Sequence, residues 1–233
     1  MKLLYPELRV CLAHSLMDVG AVLTRDSIHP LVVTRGDERG FKLKLHEKNP
    51  DAPLSPIYLN LRIPSNPKAG PLTPEIVEMA AQCMHSFAFM NEIHYNATAG
   101  IPHAGDPFAE IFSSIPFPSP LMKMGKEDAG EKRRIGAVVG EVPKGETVLV
   151  IDDLVTAADS KIEAIASLEA AGLVVLDVMV LVDREQGGKE QLAGNGYTLH
   201  SVFTISELLD LYAGSGTITP ELASEIKAYL GVR

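Results

Sequence analysis

The stretch from Val148 to Gly172, VLVIDDLVTAADSKIEAIASLEAAG, constrains the fold more than any other part of the chain. Four apolar residues lead into the acidic pair Asp152-Asp153, and a short polar turn follows. Apolar residues then recur at helical spacing at Ile162, Ile165, Leu168 and Ala171. An apolar run of this kind fits a parallel strand buried on both faces. Ser160 with Glu163 reads as a capping box that opens the helix. A helix N-terminus offers unpaired N–H groups and a partial positive charge to a phosphate. The carboxylates at the strand end can accept hydrogen bonds from sugar hydroxyls. Together these features describe a place to hold a phosphorylated sugar. The plainer alternative is an ordinary strand–turn–helix with an incidental acidic pair. The order of apolar run, acidic pair, Thr156 and Ser160 favours the binding site.

The rest of the chain repeats this alternation. Helical patterns are expected over Glu7 to about Ala21, from Thr73-Pro74-Glu75 to about Met90, and over Asp106–Ser114, Ser160–Ala171, Lys189–Gly194 and Ser206–Tyr212. Thr219-Pro220-Glu221 repeats the N-cap and proline signal and starts a terminal helix. Strands are expected around Leu31–Thr34, Gly40–Leu45, His94–Thr98, Leu121–Met124, Thr147–Asp153, Val174–Asp183 and Tyr197–Thr204. Alternating strands and helices imply an α/β fold with a mostly parallel twisted sheet flanked by helices. Residues 1–70 form an N-terminal helix and hood region, and residues 71–233 form the α/β core, within one structural unit. Ligands in such sheets bind at the carboxyl ends of the strands, which puts Asp152, Asp153, Asp183 and Arg184 on one rim.

Composition removes several function classes. The formal net charge of −9 argues against nonspecific nucleic-acid binding, which needs a basic face. No apolar run is long enough to span a bilayer, and the N-terminus lacks the apolar core of a signal peptide, so the cytoplasm is the expected location. Cys11 and Cys83 lack metal-ligand spacing and read as small core residues, with a disulfide left open. No carboxylate cluster resembles an all-protein metal cage. The segment His46–Leu54 reads as an exposed loop, and Glu127–Arg134 as either a solvated loop or a lid that excludes water from the site.

The stretch 148–172 resembles the binding motif of phosphoribosyltransferases that use phosphoribosyl diphosphate (PRPP). Further segments are similar to one branch, the orotate phosphoribosyltransferases. These are Phe41-Lys42-Leu43-Lys44 with Ser55–Arg62, the turn Ala99–Gly105, the segment Leu181–Gly188 (LVDREQGG), and Tyr197–Leu208. The resemblance covers nearly the whole chain, and with no decarboxylase region following it implies a stand-alone transferase. It implies that Asp152 and Asp153 hold the ribose and that Thr156, Ala157, Ala158, Asp159 and Ser160 cradle the 5′-phosphate. Lys44, Thr156 and Arg184 would hold orotate, Arg184 by a planar fork that matches a carboxylate. Lys126, with Lys132 as a second cation, would close over the diphosphate. Mg²⁺ is the implied cofactor, carried mainly by PRPP, and a homodimer with the lid serving the neighbouring subunit is the implied assembly. His103 reads as a packing residue of its turn.

The chain departs from this pattern in two places. Members usually carry glycines after the threonine of the PRPP turn, where this chain reads Thr156-Ala157-Ala158-Asp159-Ser160. Ala158 costs stability only if the turn needs a positive φ there. A carboxylate about 5 Å from a phosphate is repelled by roughly 1 kcal/mol or more, so Asp159 opposes phosphate binding unless it points outward, and the sequence leaves its direction open. The lid has Gly125 where an arginine would stand and Ala129 where a second lysine would. Two other functions stay open at this point: transfer to a different base, and a non-catalytic sensor of PRPP or nucleotides.

Overall fold

The computed structural model describes residues 5–129 and 132–232, and the side chains of 126–129 and 132–137 lie outside the described set. The chain opens with helix α1 (Tyr5–Asp18) and strands β1 (Val22–Thr24), β2 (Val32–Arg35) and β3 (Glu38–Phe41). A helical turn α2 (Leu45–Lys48) precedes β4 (Ile57–Leu59), and helix α3 (Pro74–Met90) follows. The alternating part contains β5 (Ala97–Gly100), α4 (Asp106–Phe112), β6 (Leu121–Ala129), β7 (Lys132–Val139), β8 (Thr147–Val155) and α5 (Asp159–Ala170). It continues through β9 (Val174–Asp183), α6 (Gly188–Gly194), β10 (Thr198–Thr204), α7 (Ile205–Gly214) and α8 (Pro220–Leu230).

Six strands form the main sheet in the order β10-β9-β8-β5-β6-β7. Neighbours pair in parallel except β6 with β7, which are antiparallel. Strand β8 lies inside this sheet, and its side chains alternate between two cores. Leu149 and Ile151 join the cluster built by α1, α3, α7 and α8, while Val148 and Val150 join the one covered by α5 and α6. Burial on both faces is why this strand reads as an unbroken apolar run. The pairs β1–β4 and β2–β3 lie outside the main sheet as the hood. Helix α1 is anchored in the core instead, since Leu12 and Leu16 are buried there and the Tyr212 hydroxyl donates to Ala13 O at 2.7 Å.

The expected caps of α3 and α8 form: Thr73 accepts from Ile76 N and Thr219 from Leu222 N, each with proline in the first turn. The cap expected for α5 does not. That helix starts at Asp159 with Ala158 at its N-cap and no side-chain cap, so Ser160 sits inside the first turn rather than ahead of it. A capping box belongs instead to α7, between Thr204 and Glu207.

Three other expectations change. Residues 46–54 are not simply an exposed loop, because His46 is buried within them: its Nδ1 accepts from Leu43 N at 2.8 Å and its Nε2 reaches Pro53 O at 3.2 Å. Of 127–134, read as a solvated loop or a lid, residues 127–129 and 132–134 are the ends of strands β6 and β7 rather than loop, with Glu127 opposite Arg134 and Asp128 opposite Arg133. Ladder hydrogen bonds use the main chain, so this hairpin needs no apolar alternation. Cys83 is buried as expected, but Cys11 is exposed, and both thiols are free.

Candidate active site

Strand β8 delivers Asp152 and Asp153 to the carboxyl edge of the sheet, where they are only 3% and 4% exposed. Helix α5 packs on the face that Asp152 points to, and supplies Lys161, which is 5% exposed. Lys161 Nζ lies 2.6 Å from Asp152 Oδ2 and 2.6 Å from Leu154 O. The other oxygen of Asp152 accepts from Asp153 N at 2.9 Å, so each of its oxygens has a partner. Asp153 Oδ1 accepts from Leu154 N at 2.7 Å, but Oδ2 is buried with no hydrogen-bond partner among the described residues. Burial pushes the Asp153 carboxyl up to about 7, with the charge of Asp152 adding to the rise and Lys161 and Arg62 opposing it.

These groups face a cavity of about 570 Å³. Thr156, Ala157 and Ser160 line it from the turn after β8, and Ile101, Pro102, His103 and Ala104 from the turn after β5. Arg62, Asn66 and Lys68 form the opposite wall. Asn66 ties that wall to the β5 turn by donating to His103 O at 2.9 Å. A cavity of about 590 Å³ near α8 is slightly larger, but its Arg25 is bound to Glu225 and its Glu38 to Arg35. The smaller cavity is the one that gathers the acidic pair, Lys161 and the turn that opens α5.

The altered turn is accommodated by a neighbour. Ala158 has a φ of −96°, so no left-handed backbone is needed, and its methyl group is buried. Its N–H donates to Gln191 Oε1 at 2.7 Å, and Gln191 Nε2 donates to Asp159 Oδ1 at 2.7 Å. Asp159 therefore faces α6, and neither it nor Ala158 lines the cavity. Gly188 seals the same junction: a Cβ there would stand 2.4 Å from Val155 Cγ2 and 2.8 Å from Thr156 O. Gly105 lets the β5 turn press on β8, since a Cβ there would meet Ile151 O at 2.3 Å.

Of the residues expected to hold the acceptor, Thr156 lines this cavity and Lys44 and Arg184 do not. Lys44 lines a second one, of about 430 Å³, with Phe41, Lys42 and Tyr58. Lys68 borders both cavities, its Nζ 5.9 Å from the Tyr58 ring. Arg184 follows β9 with its N donating to Val155 O at 3.0 Å. Its Nε is buried without a partner among the described residues, and burial lowers its ordinarily very high pKa. His103 is exposed on the cavity wall rather than packed inside. The side chains of Lys126 and Lys132 lie outside the described residues.

Sequence reasoning missed Lys161, Arg62, Asn66 and Lys68. For Lys161 a signal existed: with Ala164, Ile165 and Leu168 it occupies the buried stripe of α5, where a lone lysine needs a buried partner. Among the described residues no group of three or more His, Cys, Asp or Glu is placed to hold a metal ion.

No protein-family model matches the chain. Orotate phosphoribosyltransferase of Caenorhabditis elegans is 30% identical over 178 residues, which are 76% of this chain and 74% of that protein. The chain belongs to the orotate phosphoribosyltransferase family. Uridine 5′-monophosphate synthase of Bos taurus is 34% identical over 178 residues, 76% of this chain but 35% of the relative, so the chain spans about a third of that longer protein. The structure of Leishmania donovani UMP synthase superposes with a TM-score of 0.70 at 30% identity, covering 95% of this chain and 42% of that one. The main sheet and its flanking helices match the fold of that structure.

Proposed function

We propose that the chain transfers the phosphoribosyl group of PRPP to orotate, giving orotidine 5′-phosphate and diphosphate in pyrimidine nucleotide biosynthesis. The observation that carries this reading is the free Oδ2 of Asp153, buried beside the turn that opens α5. An unpaired buried carboxylate oxygen is costly unless a ligand satisfies it, and a ribose hydroxyl is a suitable donor. Thr156 and Ser160, with the main chain of the turn, take the 5′-phosphate. In the reaction the bond from the anomeric carbon to the diphosphate oxygen breaks, and a bond to the orotate ring nitrogen forms. The ionised acidic pair favours the positive charge that develops on the sugar between these events.

Mg²⁺ would fit this arrangement as an ion carried by the oxygens of PRPP, with the buried Asp153 Oδ2 a hard oxygen suited to its neighbourhood. Bound there, it would neutralise part of the diphosphate charge. Arg62 and Lys68 supply positive charge on the facing wall. Lys44 and Arg184 are assigned to orotate, and Lys68, bordering both cavities, links the acceptor side to the sugar side. Lys126 and Lys132 are assigned to the departing diphosphate, from a β6–β7 hairpin that serves the partner subunit of a homodimer. We assign the protein to the cytoplasm. Among the described residues no helix is long and apolar enough to cross a membrane.

Transfer to a different base is the second reading, favoured by Arg184 not lining the cavity of the acidic pair. Orotate consumption with PRPP and Mg²⁺, followed by ultraviolet absorbance, separates the two. Turnover that falls at least tenfold in Arg184→Ala supports orotate. An unchanged acceptor preference in that variant overturns it.

A further inference from the structure

We infer that Lys161 is a positioning residue for PRPP, acting through Asp152. The inference rests on the phosphoribosyl reading of the cavity. Three observations carry it. Lys161 is a lysine on the buried stripe of α5, where its neighbours Ala164, Ile165 and Leu168 are apolar core residues. Its Nζ is committed to two acceptors on β8, Asp152 Oδ2 and Leu154 O, both at 2.6 Å. It also lines the cavity, so the ion pair is part of the wall a substrate meets.

The arrangement gives the two adjacent carboxylates different tasks. Asp152 has both oxygens engaged, one by Lys161 and one by Asp153 N, and its carboxylate plane is thereby fixed. Asp153 keeps one oxygen unengaged among the described residues and is the member left to accept from the ligand. Two buried carboxylates in consecutive positions repel each other and would repel an anionic sugar phosphate as well. A buried ammonium that offsets one of them reduces this repulsion without occupying the oxygen the ligand needs. Because α5 also begins at the phosphate turn, Lys161 joins the strand that offers the carboxylates to the helix that receives the phosphate. Removing it is expected to disturb sugar and phosphate contacts together while leaving the acceptor contacts alone.

The test compares wild type, K161M, D152N and D152N/K161M by calorimetric PRPP affinity, by KM for PRPP and for orotate, and by Tm. The expected result is that K161M weakens PRPP at least tenfold in Kd and KM and changes KM for orotate by less than threefold. In the D152N background the same replacement is expected to cost PRPP less than twofold, because its partner is already uncharged. K161M that folds and binds PRPP like wild type overturns the role. So does a further loss of fivefold or more on going from D152N to D152N/K161M, a comparison that stands even if K161M alone fails to fold. Wild-type protein that binds no PRPP overturns the phosphoribosyl reading itself and the role with it. Wild type that binds PRPP alongside a K161M that binds it with the same affinity overturns the role alone.

Discussion

On the sheet side of the cavity Asp152, Asp153 and Lys161 are almost fully buried, and among the described residues every side-chain polar atom of the three but one is engaged by β8 or α5. On the facing side, Lys68 is exposed, Arg62 is half-buried, and the wall is tied across by the bond from Asn66 to His103 O. The first wall is preorganised: its geometry is set by folding, before any ligand arrives. The second presents the charges of Arg62 and Lys68 without an ion-pair partner among the described residues, and can adjust to the ligand. Preorganised groups contribute most where charge develops during a reaction. Under the proposed function, this difference places the chemistry on the sheet side and recruitment of the anion on the other.

The comparison can be broken most directly at Asp153. Asp153→Asn should lower kcat/KM for PRPP by about 10²–10³-fold, the scale for losing a preorganised charge-stabilising group, without lowering Tm. Lys68→Ala should cost only about 3–10-fold at low salt and less at high salt, as screened surface charges do. Equal losses in the two variants, measured by steady-state kinetics, would show that the walls do not differ as described.

A structural probe comes next. In Gly188→Ala the new methyl group would stand 2.4 Å from Val155 Cγ2. Overpacking of this kind costs about 1–3 kcal/mol, which for a chain of this size lowers Tm by roughly 2–4 °C per kcal/mol. An unchanged Tm would mean that the junction between the phosphate turn and α6 is looser than the sheet side should be.

Gln191 sharpens the picture at smaller scale. Gln191→Ala frees Asp159 to approach the phosphate, with repulsion of about 1 kcal/mol, so KM for PRPP should rise about 5–10-fold. Asp159→Asn in the same chain should return it to near the wild-type value. No recovery in the double variant would show that Gln191 acts through Ala158 N alone.

The smallest effect is the dependence on pH. The Asp153 carboxyl is raised from 3.8 to about 7 in the folded chain. Its protonated form therefore adds stability that is complete below the unfolded value and is lost as pH rises through about 7. Tm of the ligand-free protein should carry a downward component over that interval, absent in Asp153→Asn. Over the same interval kcat/KM for PRPP should rise, because the ionised carboxylate is the acceptor. A Tm profile identical in the two proteins would contradict the burial of this carboxylate.

Much of the fold was legible in the sequence because its signals are local. Val174–Asp183 reads as a strand from its apolar run and forms β9 over the same residues. Thr73-Pro74 and Thr219-Pro220 announce helices whose first N–H groups need a side-chain oxygen, and both caps form. The failures have a common cause. The α5 cap, the environment of His46 and the 127–134 hairpin depend on which segment lies alongside, and local spacing does not encode that.

For the site, the sequence by itself determined the chemistry: a buried strand ending in two carboxylates, a polar turn and a helix start, in an order that contiguous residues fix. Only the tertiary structure decided which carboxylate oxygen stays free, that Lys161 neutralises Asp152, and that Gln191 turns Asp159 away from the cavity. It also decided that Lys44 lines a separate cavity bordered by Lys68. The physical reason is range. Strand and helix propensity act over a few residues, whereas a buried charge takes its properties from whatever the fold packs within a few ångströms, here Arg62 and Gln191 from distant parts of the chain.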